Sequence, residues 1–274
     1  MELEQNQAEF RKLGLGVAAI SYDSAAILRD FAARKGIHYP LLSDPDSKII
    51  RAAGILNETV PASTPYFGIP YPGTFVLDAK GAIIAKYFED DYKERYTSAA
   101  ILVRQFGESP AASRSEVAGK QLSLVASASN SVAHPGQRVA LVLDVEMKPG
   151  THVYAPGVEG YIPIEWSIKN SAAALAHEVI SPKPEILYLQ AIDEKVPVLE
   201  QHFQLKRDLT FGADDKLKAD LDSSGNVTVE GTLRYQACDD RICYIPQELA
   251  LKWTFHYEGF DRERSPAEIM HRLK

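Results

Sequence analysis

From residue 139 onward this chain repeats its apolar residues with a period of two. Val139, Leu141, Leu143, Val145 and Met147 alternate along one segment, Ile164, Trp166 and Ile168 along a second, and Leu249, Leu251, Trp253, Phe255 and Tyr257 along a third. Successive side chains of a strand point to opposite faces, so this spacing gives strands with one face buried and one wet. Turn-forming stretches separate the runs, among them Lys148-Pro149-Gly150 and Ser223-Ser224-Gly225-Asn226. The pattern describes an antiparallel β-sandwich of immunoglobulin-like type over residues 121–260.

The first 106 residues follow a different pattern. A polar, helical opening is stopped near Gly14 and Gly16, and residues 17–21 form a short apolar strand. Asp23 or Ser24 caps a helix that Gly36 ends. Asp44 as cap, Pro45 at the first helical position and Gly54 at the end predict another. Residues 74–78 and 82–88 flank an Ala-Lys-Gly turn as a hairpin, and a last helix is expected from Arg95 to Phe106. Mixed helix and strand imply an α/β domain with a central sheet. Residues 107–120, small, polar and proline-bearing, read as a linker, and residues 261–274 as a C-terminal tail.

At 274 residues, two domains are expected. A net charge of −7 without a basic stripe argues against nucleic acid as a partner. No apolar run approaches eighteen residues, so no membrane span is expected. The polar N-terminus holds no apolar signal segment.

Only two cysteines occur, Cys238 and Cys243, in the stretch Arg234–Glu248. A disulfide across so short a loop stabilises by about 2 kcal/mol, against 4 to 5 for a hundred-residue loop. A chain of this length has a large core and little need of it. The pair is therefore better motivated as a redox couple than as a staple, with a hairpin-clipping disulfide as the alternative. Zinc lacks further ligands at a suitable spacing. Arg241 beside the pair favours a thiolate, while Asp239 and Asp240 oppose it. Tyr235 and Tyr244 flank the couple as contact surface or as strand packing; Tyr235 shares the phase of Leu233 and reads as packing. His38, His134 and His152 read as surface or turn residues. Ser21-Tyr22-Asp23 has no nearby histidine for a hydrolase triad, and Gly14-x-Gly16 precedes its strand, unlike a dinucleotide loop.

Two resemblances add to this reading. Residues 17–24 (VAAISYDS), 31–37 (FAARKGI), 39–55 (YPLLSDPDSKIIRAAGI) and 68–88 (GIPYPGTFVLDAKGAIIAKYF) resemble the peroxiredoxin-type, AhpC/TSA branch of the thioredoxin fold. The resemblance implies a thioredoxin-like domain over residues 1–106, with Pro72 at the position of that fold's cis-proline. Family members carry the reactive cysteine at the start of the first long helix. Here MELEQNQ matches the interior of that helix, so the domain reads as truncated, lacking its first strand and cysteine motif. The expectation is either a gene that starts further upstream or a non-catalytic relic. No peroxidase activity is expected of these residues, because attack on peroxide needs a thiolate.

Residues 232–248 (TLRYQACDDRICYIPQE), with 148–157 and 198–211 more loosely, resemble the N-terminal immunoglobulin-like domain of the thiol:disulfide interchange protein DsbD. The insert between the cysteines is one residue shorter than in familiar members. The resemblance implies that Cys238 and Cys243 exchange electrons, Cys243 attacking and Cys238 resolving. It also implies a capping loop within residues 187–200, where Asp193 and Glu194 tune a thiol or form an ordinary solvated loop. A thioredoxin-like or membrane-linked electron donor, client disulfide proteins and a periplasmic setting follow from the same likeness, with no cofactor beyond the disulfide. The competing expectation is a non-catalytic partner-binding module with a structural disulfide and a degenerate thioredoxin-fold domain.

Overall fold

The computed structural model describes residues 2–89, 93–108, 111–189, 193–261 and 263–269. The chain divides into two compact units, Met1–Leu102 with Asp261–Lys274, and Val103–Phe260.

In the first unit, Ala19–Ser21 pairs in parallel with Leu41–Ser43, and Gly73–Leu77 pairs with Ile83–Phe88 as the expected hairpin. Helix Ala25–Lys35 begins where Ser24 accepts the Ile27 N–H and ends at left-handed Gly36, φ 61°. Asp44 also acts as a cap, its carboxylate accepting from Lys48, Ile49 and Ile50 N–H at 2.9–3.0 Å. Pro45, however, lies in a turn, and the helix starts only at Lys48. Asp44 reaches over that turn and satisfies three of the amides that a helix start leaves open. The last helix is shorter than expected, Ser98–Phe106, with Arg95–Tyr96 extended. Among the described residues the parallel pair and the hairpin share no ladder, so the expected central sheet is in two pieces. All described peptide bonds are trans, which corrects the cis assignment for Pro72; a proline bond keeps its intrinsic trans preference unless packing selects the other form. Asp261, expected in a free tail, pairs with Lys35 at 2.6 Å, and Glu263 pairs with Arg34 at 3.3 Å.

The second unit is the sandwich. One sheet runs in the order Ala174–Ile180, His202–Phe211, Gln137–Met147, Leu122–Ala128, Ala112–Ala118. The other runs Glu165–Ile168, Asn226–Tyr235, Gln247–Tyr257, Val132–Ala133. All five alternating residues of Gln137–Met147 are buried, and Trp253, Tyr235, Phe211 and Phe255 fill the space between the sheets. Trp253 donates its indole N–H to the Ser127 carbonyl at 3.1 Å, which allows a polar ring to sit in an apolar core.

The linker expected at 107–120 is largely a strand. Ala112–Ala118 pairs antiparallel with Leu122–Ala128, with a register shift between Ala112 and Ser115 where Ser113 has φ 48°. Val117 packs on the core with Ser115 on the same side of the strand, while Arg114, Glu116 and Ala118 are exposed. A polar, bulged edge strand has the composition of a linker, which is why the two read alike.

A third, smaller sheet has the order Glu185–Leu189, Glu194–Glu200, His152–Tyr154, Ala237–Cys238. Two of its strands continue from the main sheets: Gln201, φ 57°, bends the chain from Glu194–Glu200 into His202–Phe211, and Asn226–Tyr235 precedes Ala237–Cys238 by one residue.

Tyr235 lies where the strand leaves the core, and its hydroxyl abuts the 119–122 turn. A Cβ on Gly119 would sit 2.3 Å from Tyr235 Oη and 3.3 Å from the Leu122 carbonyl oxygen. We predict that Gly119→Ala destabilises the protein by about 1–3 kcal/mol in urea denaturation, as overpacking does. Adding Tyr235→Phe should recover most of the loss. Additive losses in the double variant would refute this contact as the cause.

Candidate functional site

The strand His152–Tyr154 has two packed faces. Val153, with Ala237 and Leu199 opposite it on the flanking strands, faces the sandwich core. His152 and Tyr154 point the other way, to the side holding Cys238, Val196 and Val198. Strict alternation therefore places the cysteine pair on the outer face of a sheet whose inner face is core.

Cys238 and Cys243 form a disulfide with Cα atoms 4.0 Å apart. The two sulfurs are unequal. Cys238 is 2% exposed and packs against Tyr154, Val196 and Val198, whereas Cys243 is exposed. The Tyr154 hydroxyl lies 3.7 Å from Cys238 Sγ and 3.8 Å from Cys243 Sγ. Burial first, and then the Glu194 charge, raise its pKa above the usual tyrosine value, so it stays a neutral O–H. Tyr161 stacks on Tyr154 at 4.2 Å and donates to Glu194 Oε2 at 2.7 Å. That hydrogen bond to a carboxylate pushes Tyr161 up to about 12.

The short insert has hydrogen bonds of its own besides the disulfide. Asp239 Oδ1 accepts from Arg241 and Ile242 N–H at 2.8 and 2.9 Å, and Oδ2 accepts from the Tyr244 hydroxyl at 2.6 Å. Backbone bonds Asp239 N–H to Ile242 O and Tyr244 N–H to Ala237 O close the turn. The Tyr244 hydroxyl, followed by the two amides, lowers Asp239 to about 2. Asp239 therefore remains a carboxylate at any working pH. Its folded pKa is depressed, so its contribution is present above about pH 4 and lost as pH falls through about 2.

The residues singled out from the sequence divide clearly. Tyr235 is fully buried and serves packing, while Tyr244 anchors the insert through Asp239. Arg241 is exposed and joins the site through its backbone N–H. Asp193 accepts from Tyr188 and Glu194 from Tyr161, so each reaches an aromatic hydroxyl rather than a sulfur. The stretch expected to carry a cap is a hairpin in the same sheet, with residues 190–192 of it outside the described residues. Pro72 belongs to the first unit, Cys238 and Cys243 to the second. Among the described residues no group of three or more His, Cys, Asp or Glu side chains is placed to hold a metal.

Two site residues escaped the sequence reading. Tyr154 touches both sulfurs, and His152, read as surface, is 5% exposed. Their signal was the alternation His-Val-Tyr after the Lys148–Gly150 turn, too short to separate from a loop. We predict that Asp239→Ala speeds amide hydrogen exchange at Arg241 and Ile242 by of order tenfold while the core amides keep their rates. Unchanged exchange at these two amides would mean that the disulfide alone shapes the insert.

Comparison with known proteins matches both parts of the chain. Residues 1–86 match the AhpC/TSA family, and residues 120–253 match the thiol:disulfide interchange protein DsbD, N-terminal. Peroxiredoxin Bcp of Escherichia coli is 33% identical over 91 residues, 33% of this chain and 56% of that protein. A putative peroxiredoxin of Mycobacterium tuberculosis is 32% identical over 87 residues, 32% of this chain and 55% of that protein. The chain thus spans about half the length of the curated relatives it matches. The N-terminal periplasmic domain of ScsB from Proteus mirabilis aligns with TM-score 0.32 and 19% identity, over 55% of this chain and 50% of that one. The reduced Neisseria meningitidis DsbD N-terminal domain aligns with TM-score 0.28 and 14% identity, over 52% and 89%. An AhpC/TSA-like, thioredoxin-like region is therefore joined here to a region resembling the DsbD N-terminal domain, and the two family similarities support a thiol–disulfide redox role.

Proposed function

We propose that the Cys238–Cys243 couple exchanges electrons with a disulfide in a partner protein. The observation that carries this reading is the inequality of the two sulfurs: one buried under Tyr154, the other exposed on an insert that keeps its own hydrogen bonds. A disulfide opens by in-line attack on one sulfur, and access selects which. Only Cys243 offers that access, so a mixed disulfide forms there. Cys238, held beside it, resolves the intermediate. In the reducing direction Cys243 attacks the client bond, and Cys238 then displaces the client thiolate.

Ile242 and Ile245, 56% and 80% exposed, flank Cys243. They supply an apolar rim on which a partner's own cysteine segment can seat. By likeness to the DsbD N-terminal domain, that partner is a thioredoxin-like donor or a client disulfide protein in an oxidising compartment. The competing reading, a structural bridge in a binding module, has less support because Asp239 already fixes the turn. The AhpC/TSA-like region contributes no cysteine to peroxide chemistry within this sequence.

The test is the reduction potential of the couple, measured by equilibrating the full chain in glutathione buffers and counting free thiols. A value between about −180 and −270 mV is expected, whereas one well below −300 mV marks a structural bridge and overturns the proposal. In parallel, Cys238→Ser should accumulate a mixed disulfide with a thioredoxin-like probe, and Cys243→Ser should not. The reverse pattern would reassign the attacking sulfur.

A further inference from the structure

His152 is a buried titratable side chain that the exchange reading leaves without a role. Its strand lies between Glu194–Glu200 and Ala237–Cys238, and both pairings are antiparallel. In register, His152 faces Glu200 on one side and Cys238 on the other. Directly opposed residues of an antiparallel pair share a face with Cβ atoms about 4.5–5.5 Å apart. A carboxylate, an imidazole and a sulfur therefore stand in one row across three strands. The imidazole Nε2 is buried and has no hydrogen-bond partner among the described residues. The ring meets Tyr154 edge-on at 5.8 Å, and the Tyr154 hydroxyl lies 3.7 Å from Cys238 Sγ.

We propose that His152, with Glu200 behind it, is the proton acceptor and donor for the Cys238 thiol during disulfide exchange. The proposal rests on the exchange reading and extends it to the buried sulfur. In the resolving step the Cys238 thiol passes its proton to the imidazole, and its sulfur attacks Cys243 Sγ in the mixed disulfide. The bond between Cys243 and the partner breaks, and its electron pair leaves on the partner sulfur. Two electrons have then passed to the partner, the Cys238–Cys243 bond is formed, and the imidazolium releases its proton to the departing thiolate or to water. Run backwards, the neutral ring takes the proton of the incoming partner thiol, and as that thiolate opens the disulfide at Cys243 the imidazolium delivers the proton to Cys238.

The surroundings agree in sign. Burial lowers the imidazole pKa, while Glu200, Asp240 and Asp239, the charged groups acting on it from the adjacent strand and the insert, raise it. Burial prevails, so with the disulfide closed the ring is neutral and free to take a proton. A buried thiol without such a neighbour ionises only at high pH.

The experiment uses the full chain, reduced, in a Cys243→Ser background that leaves Cys238 as its sole thiol. Ultraviolet thiolate absorbance followed against pH gives the Cys238 midpoint with and without His152→Phe. The midpoint should rise by about one pH unit when the imidazole is removed. An equal midpoint in a variant with native near-ultraviolet dichroism overturns the proposal. If His152→Phe does not fold, an NMR titration of His152 decides, with and without Glu200→Gln. The imidazole should titrate in step with Cys238, and the Glu200 change should lower its midpoint. Independent titration of the two groups sinks the idea. A couple that equilibrates with glutathione but ignores His152 leaves exchange standing without this proton carrier. A His152-dependent Cys238 midpoint in a chain whose disulfide does not equilibrate with glutathione keeps this proton carrier and overturns the exchange reading.

Discussion

Strand His152–Tyr154 is three residues long and lies between the sandwich core and the disulfide. Val153 joins the core, and its two neighbours join the cysteine side. Because a strand cannot slip by one residue without exchanging its faces, the burial of Val153 fixes where His152 and Tyr154 point. The same holds for Ala237, whose place in the core commits Cys238 to the opposite face. The large core thus positions the sulfur: moving Cys238 would require pulling Ala237 and Val153 out of the apolar interior, at the cost of exposing buried surface.

The insert obeys a separate constraint. Asp239 gathers two backbone amides and the Tyr244 hydroxyl onto one carboxylate, and two backbone bonds close the turn beneath it. None of these contacts includes a sulfur. A loop that depended on its disulfide would lose its shape on reduction, and the attacking thiol would then have to be reordered for each turnover. Here the loop has its own hydrogen bonds, so the cost of ordering Cys243 is met by polar contacts that opening the bond leaves in place. That separation of shape from the redox bond distinguishes a couple from a staple more directly than loop length does.

Much of this organisation was legible because period-two alternation is a strong signal over long strands. Gln137–Met147 and Gln247–Tyr257 show it over eleven residues each, and the two cysteines were conspicuous by isolation. Shorter elements escaped. Ala112–Ala118 is a bulged edge strand whose small and polar residues have the composition of a linker, and His152–Tyr154 is too short for any period to show. Pro72 was assigned a cis bond from family likeness, and the peptide is trans. The role of Asp239 was misweighted for another reason: sequence gives its charge but not its partners. Read as a charge, it only opposes a thiolate; in the fold it is also the scaffold of the loop.

The electrostatics of the two sulfurs follow from these positions. Asp239, ionised down to about pH 2, places a full negative charge in the insert that carries Cys243. A like charge disfavours a thiolate. Cys238 has the contrary setting: no access to small reagents, an O–H from Tyr154 at 3.7 Å, and an imidazole in register beside it. One sulfur is exposed on an insert with a carboxylate, and the other is covered with an imidazole residue in register. A small reagent meets only the exposed one. A protein partner can seat on Ile242 and Ile245 and bring its own groups close to Cys243, changing the charge and solvation there. Under the exchange we propose, reach and proton handling fall on different sulfurs of the same bond, which favours a macromolecular partner over a small reagent.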